Sequence, residues 1–173
     1  GNRLAVSGLD KILAVYDAET WKPLAKIKTG YVQRDLAVGG SPLTLITGGI
    51  GKKLHAFSID GGIKEQNVMK GHVFSVRCVD VAVNGKYALS GGDDMAVILW
   101  NCESGEMIKK LDGHSSLVSA VRFIGSDQAI SASMDGKLIS WNLKSGKAQK
   151  EIAVCADGIN GIVLADGGRA ILA

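Results

Sequence analysis

Cysteine, proline and aromatic side chains are all scarce in this chain, and each shortage removes a class of protein. The three cysteines, Cys78, Cys102 and Cys155, stand at wide, unequal gaps, so neither a disulfide framework nor a Cys-x-x-Cys zinc pair is available. Buried, reduced thiols acting as small apolar residues are expected instead, in a cytoplasmic or nuclear setting. Aromatics make up only 5% of residues, too few to interleave with basic residues as a nucleic-acid-stacking surface requires. Lysine and arginine number 20 against 17 aspartates and glutamates, a surplus that does not indicate nucleic-acid binding by itself. No apolar run nears the roughly 18 residues of a membrane span, and no charged start leads into an apolar signal segment. The abrupt start at Gly1 and the apolar finish Ile171-Leu172-Ala173 read as cut ends.

What is present is a 173-residue chain, 46% apolar and 21% charged, a balance that suits a soluble globular core. With only two prolines and no sustained helical period, its apolar and β-branched residues run for four to six positions between Gly, Ser, Asp and Asn clusters. That is the pattern of short strands. The chain also repeats itself. KYALSGGDDMAVILWN (86–101) and DQAISASMDGKLISWN (127–142) each place a Ser ten residues before a Trp and an Asp six before it. A Gly-His pair precedes each (71–72 and 113–114), and a Ser-Gly turn follows. Equivalent positions fall at Ser7, Thr47, Ser90, Ser131 and Ala173, with spacings of 40, 43, 41 and 42. Units of that size hold four strands each, as in a propeller blade.

At these residues the chain resembles the WD-repeat family. The marks are the Gly-His pairs, the Asp-x5-Trp spacing, and Trp100-Asn101 and Trp141-Asn142 where the family has Trp-Asp. Tyr16-Asp17 is a third, altered version. The resemblance implies an all-β β-propeller, with repeats at about 1–30, 31–72, 73–114, 115–155 and a truncated 156–173. Three whole blades and two partial ones are expected, as part of a larger ring completed by the same chain or another subunit. It further implies a hydrogen-bonded chain in each strong repeat: His72, Ser90, Asp94 and Trp100, then His114, Ser131, Asp135 and Trp141. Phe57 and Gly51 replace the Trp and Asp of the second unit, which is expected to lack that network.

The same repetition weighs against catalysis. A Ser, a His and an Asp suggest a hydrolytic triad, but the set recurs once per unit beside a Trp. Asp93 and Asp94 suggest a metal pair, yet only Asp94 has counterparts (Asp135, Asp10), whereas Asp93 aligns with Met134 and Leu9. GGIGKK at 48–53 lacks phosphate-loop spacing and precedes a strand. His55 reads as exposed or core. Neither an enzyme activity, a metal nor a cofactor is expected.

The function implied by the resemblance is a rigid scaffold for protein or peptide partners. One position entering the first strand of each unit points to the rim: Arg34, Arg77, Ser119 and Asn160. The residue before the turn aspartate points there too: Leu9, Ile50, Asp93 and Met134. Neighbouring arginines suit acidic or phosphorylated segments. A nucleic-acid-binding face using Lys and Arg residues is the alternative. Lys52-Lys53 and Lys109-Lys110 are expected to be solubilising edge charge.

Overall fold

The computed structural model describes residues 3–165 and 170–172, and every regular element among them is a strand. The chain runs β1 (Arg3–Ser7), β2 (Ile12–Asp17), β3 (Pro23–Lys28), β4 (Gln33–Gly39), β5 (Thr44–Gly49), β6 (Lys53–Ser58) and β7 (Lys64–Lys70). It continues with β8 (Val76–Val81), β9 (Tyr87–Gly92), β10 (Val97–Asn101), β11 (Met107–Leu111), β12 (Val118–Phe123), β13 (Gln128–Ser133), β14 (Lys137–Asn142), β15 (Lys147–Ala153), β16 (Val163–Ala165) and β17 (Ala170–Leu172). Consecutive strands pair antiparallel into three four-stranded sheets, β4–β7, β8–β11 and β12–β15. A three-stranded sheet, β1–β3, precedes them, and a two-stranded one, β16–β17, follows. Arg169 and Ala173, which the repeat would place in the last strand, lie outside the described residues.

A single sheet of this size cannot bury both faces, so the apolar core forms between sheets. β8 lies against β4 and β5 on one side, while β12 lies against β8 and β9. Each interface has its own cluster. Ile46, Leu54 and Met69 meet Val76, Ile98 and Trp100 across one. Cys78, Leu89 and Leu99 meet Val118, Ile139 and Trp141 across the next. Between β1–β3 and β4–β7 the cluster is smaller, with Leu13, Val15, Leu45 and Phe57. The two tryptophans are fully buried and so connect neighbouring sheets as well as filling their own.

Several irregularities recur with the period, and two of them shape the turns and the rim. The pairing of β4 with β5 skips a residue between Gln33 and Asp35, β8 with β9 between Val76 and Cys78, and β12 with β13 between Val118 and Ala120. Arg34, Arg77 and Ser119 are therefore the extra residues of β-bulges, which re-aim a side chain off the sheet. Four corresponding turns each contain one left-handed residue: Lys11 (φ 66) between β1 and β2, Lys52 (φ 63) between β5 and β6, Met95 (φ 64) between β9 and β10, and Gly136 (φ 77) between β13 and β14.

Side chains also fasten one sheet to the next. Asp35 Oδ2 accepts from the Val79 amide at 2.8 Å, and Asp80 Oδ2 accepts from the Phe123 amide at 2.7 Å. On the outer strands, Asn67 Nδ2 donates to the carbonyls of Cys102 (2.9 Å) and Glu103 (2.7 Å), and Lys109 donates to the Lys144 carbonyl. The cysteines divide. Cys78 and Cys102 are buried, and burial pushes both thiols up, Cys102 to about 12. Cys155 is exposed, contrary to the expectation of three buried thiols, because it sits in the segment leaving β15 rather than in a core strand.

Candidate functional site: the propeller mouth and the networks beneath it

Each Gly-His pair enters its sheet beside the tryptophan of that sheet. A Cβ at Gly71 would meet Trp100 Cη2 at 2.7 Å, and one at Gly113 would meet Trp141 Cη2 at 2.9 Å. Glycine is needed there because the indole fills the space. In the third sheet in chain order, Trp100 Nε1 donates to Ser90 Oγ at 2.8 Å, Ser90 Oγ lies 2.7 Å from His72 Nε2, and His72 Nδ1 lies 2.8 Å from Asp94 Oδ1. In the fourth, Trp141 Nε1 donates to Ser131 Oγ at 2.8 Å, Ser131 lies 2.7 Å from His114 Nε2, and His114 Nδ1 lies 2.9 Å from Asp135 Oδ2. The indole can only donate, so the serine hydroxyl accepts from it and donates its own O–H to Nε2. The imidazole is then neutral, with its proton on Nδ1 directed at the carboxylate.

The aspartates close the chain onto the backbone. Asp94 also accepts from the amides of Val73 (2.8 Å) and Ala96 (3.4 Å), and Asp135 from Ser115 (2.9 Å) and Lys137 (3.0 Å). Every member is satisfied, which is what makes a buried polar chain stiffening rather than costly. Asp93 takes no part in it. Its carboxylate pairs with Arg77 Nε, so the two adjacent carboxylates serve different partners and do not converge on one ion.

The second sheet carries a substitute. Tyr31 follows Gly30 as His72 follows Gly71, and its hydroxyl lies 3.0 Å from Thr47 Oγ1, the counterpart of Ser90. Gln33 Nε2 donates to Thr29, while its Oε1 has no partner among the described residues. The expected loss of a polar network is thus a replacement. Phe57 offers no indole N–H, and a phenol reaches the threonine instead. His55 stacks on Tyr31 with centroids 3.8 Å apart and pairs with Glu65 at 2.6 Å. Burial pushes the Tyr31 phenol up to about 12.

These environments set an acid limit on stability. His72 is held below its ordinary 6.5 because burial disfavours the charged ring, Asp94 pulling the other way. For Asp94 and Asp135 burial alone would raise the carboxyl, but the amides of Val73 and Ser115, together with His72 and His114, outweigh it. Both therefore lie below the ordinary 3.8. A folded pKa below the unfolded one gives stability that is present above the unfolded value and lost as pH falls through the folded one. The melting temperature is expected to decline below about pH 6.5, where the unfolded chain takes up the His72 proton first, and again below about 3.8. Asp80, raised by burial, works in the opposite direction in the second arm. Melts from pH 8 to 3 check this, and a His72→Gln variant with the same upper arm as wild type would remove its assignment.

Apart from the networks, Arg34, Arg77, Ser119, Asn160, Leu117 and Met134 line one open concavity of about 450 Å³. It adjoins a larger one of about 610 Å³ that adds Asp35, Cys78, Arg122 and Ile162. The structure thus brings the rim residues Arg34, Arg77, Ser119, Asn160 and Met134 together, with Asp93 held there through Arg77. They are not alike. Arg34 is exposed and makes no hydrogen bond or ion pair among the described residues, whereas Arg77 is paired. Ser119 Oγ is turned inward to the carbonyls of Ile159 and Ala132, leaving only acceptor capacity. Leu9 and Ile50 are 83% and 53% exposed but line neither concavity. Arg122, Asp35 and Asp80 went unnoticed in the sequence because nothing in the repeat marks them. Tyr31 was detectable, since Gly30 stands 41 residues before Gly71.

A family model, the WD domain or G-beta repeat, matches residues 63–101 and 105–142. Periodic tryptophan protein 2 of Arabidopsis thaliana is 33% identical over 82 residues, which are 47% of this chain and 9% of that protein. WD repeat-containing protein 1 of Mus musculus is 28% identical over 149 residues, 83% of this chain and 24% of that protein. Among solved structures, "Structure of U3-55K" has the same fold, with a TM-score of 0.87 at 16% identity, covering 94% of this chain and 52% of that one. The chain spans less than a quarter of the length of these two curated relatives. Residues 63–101 and 105–142 are thus WD repeats, and the sheet β4–β7, which begins before them, is wired in the same way.

Proposed function

We propose that this arc of blades is a non-catalytic platform for a protein partner, and that an acidic or phosphorylated peptide segment enters the mouth lined by Arg34, Arg77, Ser119, Asn160 and Met134. WD-repeat proteins generally act as scaffolds for protein interactions. The observation that carries the finer reading is the guanidinium of Arg34, unpaired among the described residues, on a concavity it shares with Arg77. Blades stiffened by their bonded networks lower the ordering cost of binding, and a guanidinium matches carboxylate and phosphate geometry. The remaining blades of the ring come, on this reading, from the rest of the protein or from a second subunit. Support comes from the 52% of the propeller-like structure that this chain covers.

The test is a peptide array probed with the full-length protein. Acidic or phosphorylated sequences are expected to be enriched, and Arg34→Glu to lower their retention by about tenfold or more. Enrichment of basic sequences, or unchanged retention in the variant, would overturn the reading. So would tighter capture of an oligouridylate with a steep salt dependence, which would move the face to nucleic acid.

A further inference from the structure

The repeat compares like with like at the mouth. The bulge position holds arginine in two consecutive blades, Arg34 and Arg77. The turn residue directly after the second strand is Ile50 in the first, Asp93 in the second and Met134 in the next blade. Each turn residue is held in the same way: the amides of Ile50, Asp93 and Met134 donate to the carbonyls of Val32, Ser75 and Leu117 at 3.1, 2.9 and 3.0 Å. Only Asp93 can carry charge, and its carboxylate lies on Arg77 Nε.

We infer, building on the anionic-peptide reading above, that Asp93 is an internal competitor which occupies Arg77, so that Arg34 rather than Arg77 is the anion anchor and Asp93 sets how strongly the mouth binds. Two physical effects act together. The Arg77–Asp93 pair is close to neutral at a distance, so it attracts an incoming anion weakly. An anion that reaches Arg77 must also approach the Asp93 carboxylate or displace it, and like-charge juxtaposition opposes binding. Arg34 has no carboxylate paired with it among the described residues, and the corresponding turn residue of its blade is the apolar Ile50. The side chains of the pair are 37% and 27% exposed, and the Asp93 amide is held through the backbone. Neutralising the side chain therefore leaves the turn intact.

The experiment is an anisotropy titration of full-length protein with two fluorescein-labelled probes, hexaglutamate and a Gly-Ser peptide carrying two phosphoserines. For whichever probe binds, Arg34→Ala is expected to weaken binding by about tenfold or more, Arg77→Ala by only about twofold, and Asp93→Asn to strengthen it by about fivefold. The gain should vanish in Asp93→Asn combined with Arg77→Ala, since the freed guanidinium is its source. Asp93→Ser gives a second neutral variant should the amide form a new bond to Arg77. If Arg34→Ala weakens binding while both neutral variants leave it unchanged, or if Arg77→Ala costs as much as Arg34→Ala, the inference about Asp93 is overturned and the anionic-peptide reading stands. If neither probe binds in a manner that depends on Arg34, the reading itself falls, and the inference with it. The phosphoserine and glutamate arms separate a phosphate ligand from a carboxylate one.

Discussion

Trp141→Ala is expected to destabilise its blade by about 3–5 kcal/mol, the cost of emptying a fully buried aromatic site. The side chain is 1% exposed and belongs to a core that spans two sheets, from Cys78 and Leu89 in the third to Ile139 and Leu143 in the fourth. Trp141→Phe separates the contributions. It keeps most of the apolar volume but removes the donor to Ser131 Oγ, which should cost about 1–3 kcal/mol through an unbalanced buried chain. Repeat arrays lose strict two-state behaviour, so one melting temperature is a poor readout. Hydrogen exchange on the full-length protein is better. Trp141→Ala should lower protection in both β8–β11 and β12–β15, and a loss confined to β12–β15 would mean that the indole does not join the sheets. The second sheet is a natural control, because Phe57 occupies the equivalent place and the polar chain below it is rebuilt from Tyr31 and Thr47.

That control also marks where the sequence stops being informative. Ser90, Asp94 and Trp100, with their counterparts Ser131, Asp135 and Trp141, were legible because one blade repeats the next at a fixed spacing. Two copies of the same residues at the same offsets imply the same contacts. The strands were legible from short β-branched runs between turn residues, and the mouth positions from their place in each repeat. What the period could not convey is the difference between copies. Arg34 and Arg77 occupy one position and read alike, but the partner of Arg77 comes from a turn 16 residues away and exists only in that blade. The aim of both arginines depends on a bulge, which is a property of strand pairing and leaves no residue signature. Asp35 and Asp80 join neighbouring blades through backbone amides, and an amide donor has no side-chain identity to read. Cys155 was misjudged for a similar reason, since its exposure follows from the path of one connecting segment.

A second large effect is expected at a single turn position, with opposite signs in adjacent blades. Lys11, Lys52, Met95 and Gly136 all adopt the left-handed region, which disfavours any residue with a Cβ by about 1–2 kcal/mol. By that measure alone Gly136→Ala would cost no more than three of the four blades already tolerate. The surroundings of Gly136 change the result. Its carbonyl accepts from the amides of Val154 (2.8 Å) and Cys155 (3.3 Å), so the segment leaving β15 crosses directly over it. A Cβ there would fall on the Cys155 carbonyl oxygen, a backbone atom that has no rotamer to move. Either the crossing segment lifts and both bonds are lost, or the turn shifts and Asp135 leaves His114. Gly136→Ala is therefore expected to cost about 2–4 kcal/mol. Met95→Gly should do the reverse. Met95 is 46% exposed, and relief of its left-handed backbone exceeds the added flexibility of glycine by about 0.5–1 kcal/mol. Thermal melting of the two variants, with exchange rates at the Val154 and Cys155 amides, checks both. Equal shifts of the same sign would mean that backbone conformation alone governs this turn, whereas opposite shifts would locate the difference in the segment crossing above Gly136.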